Sequence, residues 1–265
     1  MLHITPIHAF SDNFIWLLQR PGGDRAAVVD PGDARPVIEA LQAKRLELTA
    51  ILITHEHPDH VGGIARLLER WPDAAVFGPA RESIPHISRK LGEGDEIRIP
   101  GLDATCTVLD VPGHTAGHIA YYGDWNEGRQ KVLFCGDTLF SCGCGRIFTG
   151  TFEQMHHSLG RIAALPSDTL IYCAHEYTLD NIGFAQWVEP DNPALEQRKQ
   201  ACFDILDRGG DTVPNTLENE RATNPFLRLG HPDVLATLMK KGLKTPTANA
   251  EAFALLRTWK DREYD

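Results

Sequence analysis

Short apolar runs of strand length, punctuated by Gly and Pro, fill the first two thirds of the chain; helical spacing of apolar positions takes over afterwards. Phe14 to Leu18 is a continuous apolar run that reads as a strand, and Ala26 to Val29 is a second, closed by the turn signal Asp30-Pro31-Gly32. From Arg35 to Arg45, Val37, Ile38 and Leu41 recur at helical spacing, with Leu46 just beyond. Leu48 to Ile53 reads as a buried strand, and Val61 to Trp71 as a helix stopped at Pro72. Strand-type runs return at Ala75 to Phe77, between Asp95 and Leu109, at Ile119 to Tyr122 and at Val132 to Phe134. Phe152 to Leu165 has helical spacing, and Leu170 to Cys173 is a last strand.

Beyond Tyr177 the pattern is helical: Leu179 to Val188, Pro193 to Asp207, Pro232 to Lys241 and Ala250 to Lys260. Val213-Pro214-Asn215-Thr216 interrupts the series, with Asn215 or Thr216 suited to cap the next segment. Strands followed by helices occur twice before that point, a loose echo between about 1–80 and 95–180. The expected organisation is a main α/β domain over residues 1–178 and a small all-α domain over residues 179–265.

Composition narrows the picture without changing it. The chain has 265 residues, 42% hydrophobic and 23% charged, which suits a globular protein with a sizeable core. A formal net charge of −10 argues against broad binding of nucleic acid or an anionic membrane, both of which need a basic face. No basic segment followed by an apolar stretch opens the chain, and no apolar run approaches the roughly 20 residues of a membrane span. The 6 cysteines do not form a disulfide-type pattern, so a reducing cytoplasm is expected.

The candidate chemistry is concentrated after one strand. His55-Glu56-His57-Pro58-Asp59-His60 packs three imidazoles and two carboxylates into one loop, and His and Asp side chains gathered at a strand end are metal ligands by default. Three buried histidines without a metal would repel one another when charged and need partners when neutral. His114, Asp137 and His175 each follow a further predicted strand, and strand ends on one sheet edge converge where binding sites gather. Taken singly, each of these three is as well read as a surface or satisfied core residue. Together with His55, His57, Asp59 and His60 they are too many for one catalytic metal and suit two, with a carboxylate shared between them. Cys135 and Cys142-Gly143-Cys144 lack the spacing of structural zinc sites and read better as free thiols. His118 reads as a supporting residue, and His156-His157 as a solvated or packed helical pair.

The pattern His-x-His-x-Asp-His, then Gly113-His114-Thr115, Gly136-Asp137-Thr138 and a last His175, resembles the metallo-β-lactamase superfamily. Gly136-Asp137-Thr138-Leu139-Phe140, Gly143-Cys144-Gly145-Arg146, His175-Glu176-Tyr177-Thr178, Thr212-Val213-Pro214-Asn215-Thr216-Leu217 and Asn224-Pro225-Phe226-Leu227-Arg228 narrow the resemblance to the glyoxalase II family. It spans the chain from the N-terminus to the last helices.

The resemblance implies a four-layer αββα sandwich with a small C-terminal all-α domain that binds glutathione. One divalent metal would take His55, His57 and His114, the other Asp59, His60 and His175, with Asp137 bridging. Zinc is the first expectation, with iron or manganese as alternatives. Asp59 and Asp137 would be catalytic, while Arg146, Tyr177, Arg257 and Lys260 would hold the glutathione moiety. Arg146 stands where the family often has Lys, and Phe148 where some members have Tyr, so no hydrogen-bonding role passes to Phe148. Without the family likeness, Arg257 and Lys260 would read as a solvated helix face. The implied reaction is hydrolysis of S-lactoylglutathione to glutathione and D-lactate, in a monomeric enzyme of methylglyoxal detoxification. The rival readings are a single-iron persulfide dioxygenase of the same fold and a metal-binding member without catalysis; all seven ligand positions being filled weighs against the latter.

Overall fold

The computed structural model describes residues 2–125 and 131–264. The chain divides into two units, Met1–Val111 with Thr115–Gly136, and Pro112–His114 with Asp137–Asp265.

In the first unit, β1 (His3–Ala9) and β2 (Asn13–Gln19) form a hairpin that sets Ala9 opposite Asn13. β3 (Arg25–Val29) pairs antiparallel with β2. The chain then crosses through α1 (Ala34–Lys44) to β4 (Glu47–Leu52), parallel to β3. It crosses again through α2 (Pro58–Val61) and α3 (Ile64–Arg70) to β5 (Ala75–Pro79), and β6 (Arg89–Leu91) adds a parallel edge. Asp33 starts α1 by accepting from the Arg35 N–H at 2.8 Å.

Two local expectations change. The helix read over Val61–Trp71 is split at Gly62-Gly63 into α2 and α3. Pro58, inside the His-rich loop, occupies the first turn of α2, where its missing N–H has no partner to lose. β1 escapes the apolar pattern because it mixes polar residues and Pro6 into a sheet edge, where a lost ladder bond is tolerated.

β2 is buried on both faces. Ile15 and Leu17 join Val37 and Leu41 of α1 and Ile64 and Leu67 of α3 in one apolar core. Phe14, Trp16 and Leu18 are buried on the opposite face, as strand alternation requires. β7 (Glu96–Ile99), β8 (Ala104–Asp110), β9 (Ile119–Asp124) and β10 (Lys131–Gly136) form the second, antiparallel sheet of this unit in the order β10-β9-β8-β7. The sheets are tied by the Ile119 N–H donating to Thr54 O at 3.0 Å and the buried Tyr121 hydroxyl donating to Ile53 O at 2.8 Å.

The second unit contains the hairpin β11 (Leu139–Phe140) and β12 (Gly143–Cys144), then α4 (Phe152–Ala163), which opens with a capping box of Thr151 and Gln154. β13 (Leu170–Cys173) leads to α5 (Thr178–Val188) and α6 (Pro193–Leu206). β14 (Asn215–Thr216) pairs with β13 and runs into α7 (Leu217–Thr223), with Thr216 as its cap, accepting from the Asn219 N–H at 3.3 Å. α8 (Pro232–Lys240) and α9 (Ala250–Glu263) complete it. Because α4 packs on α9, with Phe152 and Phe253 rings 6.3 Å apart, this unit begins well before the composition change near 175–190.

A charged pair lies at the heart of the second unit. Arg198 and Glu220 are both buried and bonded to each other. Arg198 also donates to Ser141 Oγ at 2.6 Å and to Thr223 Oγ1, while Glu220 accepts from the Cys142 N–H at 2.9 Å and from Asn224 Nδ2 at 3.1 Å. Burial is the largest single influence on Arg198 and works against its charge, but Glu220, Cys142 and Cys202 together overcome it and raise the guanidinium pKa. The network fastens the β11–β12 turn to α6 and α7. Glu220→Ala leaves that guanidinium uncompensated and is expected to destabilise the protein by about 3–5 kcal/mol. The double variant Arg198→Met/Glu220→Leu should recover most of the loss in denaturant unfolding, and no recovery would show that the pair acts through more than its charges.

Candidate metal and substrate site

The first unit presents four of the seven expected metal ligands. β4 delivers the chain to Thr54, and His55, His57, Asp59 and His60 come next within one loop and one helical turn. His55 and His60 are fully buried, with ring centroids 4.0 Å apart, and His57 meets His55 at 4.7 Å. The ligand nitrogens of His55 and His57 lie within 4.8 Å of each other, and Asp59 Oδ2 lies 3.4 Å from His60 Nε2.

This clustering is enforced by neighbours. Asp30, at the end of β3, accepts from the Thr54 N–H at 2.8 Å and its hydroxyl at 2.7 Å, and stands 3.1 Å from His60 Nδ1. That contact holds the Nδ1 side of the ring and turns Nε2 toward Asp59. Thr54 Oγ1 is 3.1 Å from His55 Nδ1, and His118 stacks on His55 at 4.6 Å. Gly32 is required here: a Cβ on it would lie 1.8 Å from the Asp59 carbonyl oxygen. Gly136 has φ +48°, and a Cβ there would lie 2.3 Å from Thr54 Oγ1. The sequence pattern presents Asp30 only as a turn residue and does not disclose its support of His60. The one available signal is a carboxylate at a strand end beside the ligand-bearing strand. Glu56 accepts from the Ser83 N–H at 3.3 Å, while Glu82 accepts from the Thr115 hydroxyl. Burial raises the Glu82 pKa, the Thr115 bond opposes that, and the Glu56 carboxylate adds to it.

The second unit presents the other three. His114 Nδ1 faces the Arg146 carbonyl oxygen at 2.8 Å, leaving Nε2 3.4 Å from Asp137 Oδ2. His175 Nε2 is 3.6 Å from the same carboxylate oxygen. Asp137 Oδ2 therefore has two imidazole nitrogens close by. Tyr177 stacks on His175 at 4.9 Å and Phe140 stands edge-on to both rings. Phe148 meets His114 edge-on at 5.1 Å and is 62% exposed.

The donor chemistry of both sets fits divalent metal ions. It consists of imidazole nitrogens and carboxylate oxygens, with ring orientations fixed through the other nitrogen of His60 and His114. The cysteines do not join it: all six are buried free thiols, and burial pushes Cys106, Cys142 and Cys173 up to about 12 and Cys144 up to about 11. Such thiols stay protonated and poor as ligands.

The four expected substrate residues all lie in the second unit, in unequal surroundings. Arg146 and Tyr177 are both exposed. Arg257 is only 1% exposed; it donates to Cys144 O at 2.9 Å and pairs with Asp261 at 2.9 Å. Lys260 is also buried, 3.7 Å from Asp180 and near the rings of Phe184 and Tyr264. Neither cation lies on a solvated helix face. Asp261, which no sequence motif singles out, also lies 3.8 Å from Arg146 and so connects two of the expected anion-binding groups.

Known proteins match the whole of this arrangement. A model of the metallo-β-lactamase superfamily matches residues 10–175, and one of the hydroxyacylglutathione hydrolase C-terminus matches residues 176–263. A hydroxyacylglutathione hydrolase of Chromohalobacter salexigens is 50% identical over 262 residues, covering 99% of this chain and 100% of its own. Its counterpart in Alkalilimnicola ehrlichii is 51% identical over 262 residues, again 99% and 100%. Among solved structures, ETHE1 from Myxococcus xanthus is similar in fold, with a TM-score of 0.63 at 23% identity over 97% of this chain and 98% of its own. A di-iron-bound form of TTHA1623 gives a TM-score of 0.57 at 28% identity over 84% of this chain and 100% of its own. The fold is the αββα sandwich of the superfamily with a helical C-terminal part, and the chain belongs to the hydroxyacylglutathione hydrolase, or glyoxalase II, family.

Proposed function

We propose that the chain hydrolyses glutathione thioesters of 2-hydroxy acids, with S-lactoylglutathione as substrate and glutathione and D-lactate as products, the second step of methylglyoxal detoxification. The observation that carries this reading is the match of residues 176–263 to the hydroxyacylglutathione hydrolase C-terminus, in a chain whose preceding residues retain the full ligand pattern. The same match speaks against a persulfide dioxygenase. The functional division is 1–178 for metal and catalysis and 179–265 for glutathione.

One ion is assigned to His55, His57 and His114, a second to Asp59, His60 and His175, and Asp137 to both. The two imidazole nitrogens close to Asp137 Oδ2 support its shared role, and zinc is the first candidate, ahead of iron and manganese. When bound, such a pair would lower the pKa of a metal-bound water toward ~7 and polarise the thioester carbonyl. Asp59 would be a ligand of the second ion and would help orient the attacking water. The glutathione thiolate leaves as a stable anion, so no strong general acid is needed. Arg146, Tyr177 and Lys260 receive the glutathione moiety, and Arg257 acts with them by fixing the Cys144 carbonyl and Asp261. Glutathione carboxylates then meet local positive charge on an acidic protein. The enzyme is assigned to the cytoplasm as a monomer; its six free thiols suit a reducing compartment, and no described helix is long and apolar enough to cross a membrane.

Loss of thioester absorbance with S-lactoylglutathione, measured beside metal content on the same sample, should show turnover with two ions per chain; metal-loaded protein that leaves the thioester intact would overturn the assignment. Asp137→Ala should lose metal and hydrolysis together, and unchanged metal by elemental analysis would remove its bridging role. Arg257→Ala should raise KM and also lower the unfolding midpoint, since Cys144 O and Asp261 lose a buried partner. A fall in kcat at unchanged KM would contradict its place on the glutathione side.

A further inference from the structure

One side chain outside the ligand pattern reaches Asp59. Asn13 begins β2, opposite Ala9 across the β1–β2 turn, and is 7% exposed. Its Nδ2 donates to Asp59 Oδ2 at 2.9 Å, 46 positions away in sequence. Asp59 lies in the first turn of α2 with its side chain 39% exposed, so hydrogen bonds contribute to setting its orientation. The oxygen that Asn13 holds is also the one 3.4 Å from His60 Nε2. His60 in turn is fixed from its other nitrogen by Asp30.

We propose that Asn13 is a positioning residue for Asp59. It holds Oδ2 on the side of His60, so the carboxylate and the imidazole are oriented together for the second metal. A neutral amide suits this task, because it donates without cancelling the charge that a divalent ion needs. A carboxylate at position 13 would set two anions against each other, and an apolar side chain would remove the hydrogen bond to Oδ2. The β1–β2 hairpin thereby becomes part of the site although it supplies no ligand. This inference rests on the two-metal reading of the site.

The test uses enzyme loaded with two Zn(II) ions and titrated with a chromophoric zinc chelator, comparing wild type, Asn13→Leu and Asn13→Asp. Loss of an outer hydrogen-bond partner typically weakens metal binding by about 10- to 100-fold. In both variants one zinc equivalent should be released at a correspondingly lower chelator concentration, while the other is released as in wild type. Turnover should fall through kcat with KM within about twofold. Asn13→Asp keeps the size and polarity of the side chain and so separates donation from folding if Asn13→Leu is unstable. Wild-type release of both equivalents, or equal weakening of the two with a lowered unfolding midpoint, would reduce Asn13 to a structural residue and overturn the proposal. Wild-type enzyme that holds a single zinc would instead overturn the two-metal reading itself, before any variant is compared.

Discussion

A buried imidazole can bind a metal only when one nitrogen is held by an acceptor and the other is left facing the ion. That constraint organises the structure around His60 and His114. Asp30 meets it for His60, and the Arg146 carbonyl meets it for His114. Both acceptors come from segments remote in sequence from the ring they orient, so the loops that carry them have to be placed accurately. The glycines answer the same demand. Gly32 lets the turn after β3 lie directly on the Asp59 backbone, and Gly136 lets the end of β10 pass beside Thr54 and His118.

The second unit solves a related problem with charge. Its β11–β12 turn leads into the segment that bears Arg146, and that turn is fastened by the buried Arg198–Glu220 pair. Arg257 fastens the next stretch through Cys144 O. Two arginines with no ligand role thus set the course of the backbone whose carbonyl, at Arg146, orients His114. Asp261 balances Arg257 and lies near Arg146, so the carboxylate links the two cations.

Ligand residues and their supports differ in how readily the chain discloses them. His55, His57, Asp59 and His60 stand within six residues, and His114, Asp137 and His175 each follow a strand visible in the apolar pattern. Asp30, Asn13 and Asp261 escape recognition, because each acts through a partner that sequence distance hides. Asn13 looks like an ordinary residue at a strand start until the hairpin register sets it against Asp59. Arg257 and Lys260 have the look of a solvated pair at helical spacing, and only the packing of α9 buries them.

The sequence by itself determined the main strands and helices, the metal-type donor set and the change from sheet to helix near residue 177, since periodicity, turn residues and ligand spacing are local properties of the chain. It left undecided which carboxylates orient which rings, how α2 begins at Pro58, where the chain divides into units, and which arginines are buried. Those were decided by tertiary structure. Hydrogen-bond geometry, close backbone approach and desolvation each depend on groups brought together from distant positions, and no local pattern records who the neighbour will be.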